Sequence, residues 1–356
     1  MHETNRNDAT PVATPTLMFQ EAAEANAAVE RMLAANGAAF AQLGKTLRAS
    51  PPSVVVTCAR GSSDHAATYA KYLIETRIGI LVASAAPSVA SVYAAPVAPG
   101  NALCIAISQS GRSPDLLATV TAQKTAGAHV VAIVNDTSSP LAEMADTLIA
   151  LSAGVERSVA ATKSYITSLA AIAALVAEWS QDESLGSAVA TLPALLRRSW
   201  AFDWQPVGTA LQNANNLFVI GRGLGLAVAQ EAALKLKETC GLHAEAFSSA
   251  EVRHGPMAIV GEGFPIIAFA TSDGAGDDVR AVAAEFAARG ATVCLADATA
   301  DGATASATAV PAAKADPAIE PILMIQSFYR MADALSRARG YDPDAPSHLS
   351  KVTRTI

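Results

Sequence analysis

The segment Ser108-Gln109-Ser110-Gly111-Arg112-Ser113-Pro114 gathers three hydroxyls, an amide and a glycine directly after the apolar run LCIAI. This composition suits an anion. Gly111 permits a tight turn and Pro114 fits a first helical position. Backbone N–H groups and serine hydroxyls can then surround a phosphate at the positive end of the following helix. A plain strand-to-helix turn with a capping serine uses the same letters. A second loop, Arg60-Gly61-Ser62-Ser63-Asp64, follows the run VVVTC. Two such loops at strand C-termini converge where open α/β sheets place their ligands. Neither matches GxxxxGK[ST], and Arg222-Gly223-Leu224-Gly225 lacks the third glycine of GxGxxG, so a nucleotide is not favoured.

Acid–base groups lie further along. Glu231, Lys235, Lys237 and Glu238 interrupt an Ala/Leu-rich helical segment, and Lys235 and Glu238, three apart, share one face. They could serve one site, or form an ordinary solvated face. His254, before Gly255-Pro256, falls in a loop, beside Glu251 and Arg253. Lys351, near the C-terminus, reads by composition as a loose surface charge. A carboxylate and a neighbouring cation are what an aldose–ketose shift requires. One removes a proton from a carbon and returns it to the next, and the other holds the enediol oxygen or enamine nitrogen. No metal or redox cofactor is needed.

The elements that position these groups follow from periodicity. The chain has 356 residues, room for about two domains; 51% are hydrophobic and only 16% charged, so most of it should fold. Residues 1–16 are polar and read as a loose terminus. From Leu17 to Leu47 the spacing predicts two helices broken near Gly37. VVVTC, ILVAS, LCIAIS and HVVAIVN then alternate with helices at Ser62–Arg77 and Pro114–Gly127, the pattern of a parallel sheet covered on both faces. A fifth strand is expected over Thr147–Leu151, followed by long helices over Ser158–Ser180 and Ser187–Trp200. The order then restarts. VVVTCARG and NLFVIGRG align with Gly61 and Gly223 162 residues apart, and the same spacing brings Asp115 onto Asp277. An internal duplication is expected, with a first domain over 17–200, a second over 201–340 and a tail over 341–356.

Net charge is -7, with 25 Lys plus Arg against 32 Asp plus Glu, which offers no attraction to nucleic acid or anionic lipid. The first residues lack signal-peptide order, and the longest apolar stretch is shorter than a membrane span, so a cytoplasmic location is expected. Cys58, Cys104, Cys240 and Cys294 are far apart and read as inert core thiols; no metal site is expected.

In combination, CARGSS, ISQSGRSPD, SVAATKSY, EAALKLKE, HAEAF, EVRHGP and HLSKVT resemble the sugar isomerase (SIS) domain family. The likeness is to the tandem-SIS isomerase half of glucosamine-6-phosphate synthase and its stand-alone deaminase relatives. It runs from about residue 50 to the end. The resemblance implies two tandem SIS subdomains, each a doubly wound, flavodoxin-like parallel sheet between helices. It puts a sugar phosphate on Ser63, Ser108, Gln109, Ser110 and Ser113, with Gly61, Ser62 and Gly111 shaping the loops. It makes Glu238 the proton-moving base and Lys235 its stabilising neighbour. His254 would open the sugar ring from the adjoining subunit of a homodimer, and Lys351 would reach C2 of the open-chain sugar. Met1 is followed by His2, so neither the synthase's amino-terminal cysteine nucleophile nor glutamine as nitrogen source is expected. Arg112 resembles the deaminase branch, either adding charge near the phosphate or pointing to solvent. The expected activity is release of ammonia from glucosamine 6-phosphate. A related amino sugar phosphate, an ammonia-dependent aminating isomerase, or a non-catalytic sugar-phosphate sensor are the alternatives.

Overall fold

The computed structural model describes residues 14–299 and 307–351. Residues 1–13 of the expected loose terminus, and residues 352–356 of the tail with Val352 and Thr353, lie outside them.

The first half comprises α1 (Leu17–Ala23), α2 (Ala25–Ala49), β1 (Val54–Cys58), α3 (Ser62–Arg77), β2 (Val82–Ser84), α4 (Pro87–Ser91) and β3 (Ala102–Ser108). It continues with α5 (Pro114–Thr125), β4 (His129–Val134), α6 (Pro140–Met144), β5 (Thr147–Ala150), α7 (Lys163–Ser180) and α8 (Glu183–Ser199). The second half comprises α9 (Gln205–Leu211), β6 (Asn216–Gly221), α10 (Leu224–Cys240), β7 (His243–Ser248), β8 (Pro265–Ala270), α11 (Gly274–Ala288), β9 (Thr292–Asp297), β10 (Thr308–Val310) and α12 (Glu320–Ala338).

Each half builds a five-stranded parallel sheet, ordered β2-β1-β3-β4-β5 and β10-β9-β8-β6-β7. Counted within its own half, each order is 2-1-3-4-5, the doubly wound flavodoxin-like arrangement. The central strands are continuous apolar runs because helices cover both faces. β3 and β4 are buried at every position after their first. The duplication extends to backbone angles. Gly61 and Gly223 precede α3 and α10 with φ/ψ of 54°/−132° and 56°/−129°, a conformation open to glycine and strained for other residues.

Three helix boundaries differ from the periodicity. The N-terminal helices break at Glu24, not near Gly37, which lies inside α2. Gly37 is exposed with open space around it, so it costs only the ~1 kcal/mol of an ordinary helical glycine. Burial of Met32, Phe40, Leu43 and Leu47 on the opposite face outweighs that. The helix expected from Ser158 starts at Lys163, because buried carboxylates claim the preceding amides. Glu21 accepts from the N–H groups of Arg157 (2.5 Å) and Ser158 (3.2 Å), and Glu156 from those of Thr162 (3.0 Å) and Ser164 (3.1 Å). The next helix starts at Glu183 rather than Ser187, because Asp182 caps it through Leu185 N–H at 3.0 Å.

The four cysteines are buried and unpaired. Burial pushes the thiols of Cys58 and Cys104 up to about 12 and those of Cys240 and Cys294 to about 11, so they stay protonated and unreactive. Among the described residues no helix is long and apolar enough to cross a membrane.

Candidate active site

α3 and α10, the first helix of each half after its leading strand, pack against each other. Their contact brings the acid–base helix of the second half to the serine loops of the first. A cavity of about 540 Å³ opens there. Gly61, Ser62 and Ser63 line it from the β1–α3 turn, and Ser108, Gln109, Ser110 and Ser113 from the β3–α5 turn. Lys235 and Glu238 line it from α10 and Lys351 from the C-terminal tail. The tail also covers the cavity with Leu349 and Ser350.

The β3–α5 loop is built to leave donors unspent. Ser108 Oγ accepts from Gly111 N–H at 2.9 Å, closing the turn. Gly111 has φ +63°, and a Cβ there would run into the Ser139 side chain; it shapes the loop without lining the cavity. Pro114 stands at the start of α5 and carries no N–H, and the next turn is satisfied within the chain: Leu116 N–H donates to Asp115 Oδ1 at 2.8 Å and Leu117 N–H to Ser113 O at 3.1 Å. Arg112 turns away and pairs with Asp136 at 2.8 Å. The Ser138 hydroxyl and that guanidinium hold the Asp136 carboxyl below its ordinary pKa.

Lys235 and Glu238 do not form a solvated face: their side chains are 1% and 22% exposed. Lys235 Nζ lies 2.5 Å from Glu238 Oε2 and 3.5 Å from Glu231 Oε1, so one buried ammonium bridges two carboxylates. Burial would drive the Lys235 proton off, but Glu231 and Glu238 outweigh it and raise its pKa above the ordinary lysine value. Glu231 is fully buried. Ser62 Oγ donates to it at 3.1 Å and the Tyr329 hydroxyl at 2.9 Å, and His65 Nδ1 stands 3.0 Å away. Burial raises the Glu231 pKa, yet the Lys235 charge, the His65 contact and the Tyr329 hydrogen bond together leave it below the ordinary carboxylate value.

Lys351 is no loose surface charge. Its Nζ donates to Ser158 O at 2.7 Å and lies 3.2 Å from Glu156 Oε2. Glu156 is fully buried, and despite that burial Lys351 and the Ser164 hydroxyl hold its pKa low. α1 supports this corner, since Glu21 grips the Glu156–Ser158 turn from behind. His254 is exposed after a 3-10 turn at Glu251–Arg253 and does not line the cavity of its own chain.

Arg60 and Glu231, noted in the sequence without an assigned role, and Glu156, not singled out there, belong to the walls or supports of the site. Arg60 lines the cavity with its guanidinium pinned to buried Asp115 at 2.6 Å. Its place in CARGSS was a signal. Glu231 had one too, as the i−4 neighbour of Lys235. Glu156 had none: it sits in an irregular segment, and only the fold buries it. Among the described residues no cluster of His, Cys, Asp and Glu is arranged to hold a metal ion.

This arrangement can bind an anion on one side and move a proton on the other. The model of the SIS domain matches the chain twice, at residues 51–178 and 210–333. A glutamine–fructose-6-phosphate aminotransferase (isomerizing) from Aeropyrum pernix is 34% identical over 311 residues, covering 82% of this chain and 49% of that protein. One from Pyrobaculum aerophilum is 36% identical over 264 residues, covering 70% and 43%. The chain thus spans about half the length of the curated relatives it matches. Among solved structures, a candidate phosphosugar isomerase from Silicibacter pomeroyi superposes with TM-score 0.87 at 44% identity, covering 93% of this chain and all of that one. The C-terminal domain of the Francisella tularensis glucosamine-fructose-6-phosphate aminotransferase gives 0.84 at 25%, covering 95% and 100%. The chain belongs to the SIS-domain family, carries that domain twice in tandem, and is homologous to the isomerase half of glutamine–fructose-6-phosphate aminotransferase.

Proposed function

We propose that the protein is a glucosamine-6-phosphate deaminase, converting glucosamine 6-phosphate and water to fructose 6-phosphate and ammonia. The observation that carries the reading is that Glu238 and Lys235 line the same cavity as the Ser108–Ser113 loop. The phosphoryl group rests on the serine loops and fixes the register of the sugar. Glu238 takes the C2 proton of the open-chain amino sugar and delivers it to C1, through an enolamine. The Lys235 ammonium, kept charged by its two carboxylates, stabilises the negative charge that develops. The resulting C2 imine is hydrolysed. In a lysine-assisted branch Lys351 passes a proton to the imine nitrogen, its amine then adds to C2 and expels ammonia, and the ketimine left behind is cleaved by water.

Ammonia release from a panel of amino sugar 6-phosphates, with fructose 6-phosphate assayed in parallel, tests this. Release from glucosamine 6-phosphate above the galactosamine and fructosamine analogues is expected. Ammonia from none of them would overturn the reading, and tight binding without turnover would favour a sensor.

Ring opening is assigned to His254 of a second copy. The support is its exposure in its own chain, away from the cavity wall. Co-expressing Glu238→Gln and His254→Ala chains in equal amounts should then restore activity that neither variant has alone. Random pairing makes half of the dimers mixed, each with one intact site, so recovery should approach about a quarter of wild type. No recovery from demonstrably mixed dimers would refute the shared site.

A further inference from the structure

The duplicated halves treat their equivalent loops differently. At the 162-residue spacing, Ser110 after β3 falls on Ser272 after β8. Ser110 faces the cavity and its hydroxyl has no hydrogen-bond partner among the described residues. Ser272 spends both donors on a carboxylate of its own chain. Its N–H donates to Glu320 Oε2 at 2.7 Å and its hydroxyl to Glu320 Oε1 at 2.8 Å, while Ala315 N–H adds a third bond at 3.0 Å. Glu320 is fully buried at the start of α12.

The loop that carries Ser272 is also tightly packed. Thr271 Oγ1 donates to Asp273 Oδ1 at 2.6 Å, and the same oxygen caps Gly276 N–H at 3.2 Å. A Cβ on Gly276 would run into the Thr271 carbonyl, so α11 starts hard against the loop. In the first half the matching position is Pro114, which has a full ring. A Cβ on Gly225 would come within 3.3 Å of the Phe269 carbonyl, where the first half carries Ser63.

We infer that the second half retains a closed counterpart of the anion cradle, in which the Glu320 carboxylate stands where the first half receives an external anion. Each chain therefore offers one oxyanion site, and removing the carboxylate opens a second that takes small oxyanions. The comparison rests on reading Ser108–Ser113 as an anion cradle, but the test needs no turnover.

Glu320→Ala should lower the melting temperature. Formate or inorganic phosphate should then recover at least half of the loss, in a concentration-dependent way, beyond any rise the same anion causes in wild type. Equal rises in both proteins would overturn the inference. If Glu320→Ala does not fold in plain buffer, the yield of folded protein on refolding with and without formate becomes the readout. Recovery by formate supports the inference and its absence sinks it. Calorimetric titration of wild type with phosphate should give one site per chain, removed by Ser110→Ala with Ser113→Ala. A second phosphate site per chain in wild type contradicts the closed cradle. No phosphate binding in wild type, with formate rescue of Glu320→Ala intact, would instead fault the reading of the first loop.

Discussion

Glu238→Gln should lower ammonia release from glucosamine 6-phosphate by about 10²–10⁴-fold, the range for loss of a positioned general base. The amide keeps the size of the carboxylate and can still accept from the Lys235 ammonium, now 2.5 Å from Glu238 Oε2. What it loses is the capacity to hold the proton between C2 and C1. Binding of the sugar phosphate should change little, because the serine loops that hold the phosphoryl group belong to the other half. Steady-state rates set beside calorimetric affinities check this. Turnover within tenfold of wild type would remove Glu238 from the proton transfer, and a parallel collapse of affinity would make it a binding residue.

The largest expected effect on stability comes from Glu231→Gln. The carboxylate is fully buried, and its loss leaves Lys235, itself 1% exposed, with one counter-charge in place of two. Breaking one partner of a buried ion pair typically costs about 3–5 kcal/mol, and that range is expected in urea unfolding at neutral pH. The pH dependence has a definite sign. Glu231 and Glu156 both have folded-state pKa values below the ordinary 4.5, so each contributes stability that is fully present above that value. That contribution fades as pH falls through the lower folded-state values. Glutamine at position 231 does not titrate. The gap between wild type and variant should therefore be widest near neutrality and narrow below about 4.5. A gap that stays constant down to strong acid would show that Glu231 is not held as a buried carboxylate.

Much of the fold was legible because its signals are local. A strand covered on both faces must be apolar throughout, so β1, β3 and β4 announce themselves; the turn at Gly111 and the proline opening α5 mark where the strand ends and the helix begins. Helix starts were less legible wherever a distant carboxylate claimed the amides. Glu21 and Glu156 delay α7 to Lys163, and no local pattern encodes a hydrogen bond across 136 residues. Gly37 misled for a related reason, since the burial that carries α2 through it comes from packing on α7.

By itself the sequence determined which groups were available: hydroxyl-rich turns behind buried strands, a lysine and a glutamate one helical turn apart, and a doubled order of elements. Side-chain type and short-range spacing suffice for these, because backbone geometry translates them directly into a turn, a face or a strand. Tertiary structure alone decided which groups became a site. Packing α3 against α10 buried Lys235 between two carboxylates and turned Glu238 toward serines more than a hundred residues away. It also set Glu320 on Ser272 while leaving Ser110 open. Burial and charge pairing depend on what the rest of the chain brings to the same few ångströms, and that proximity is not written in any one segment.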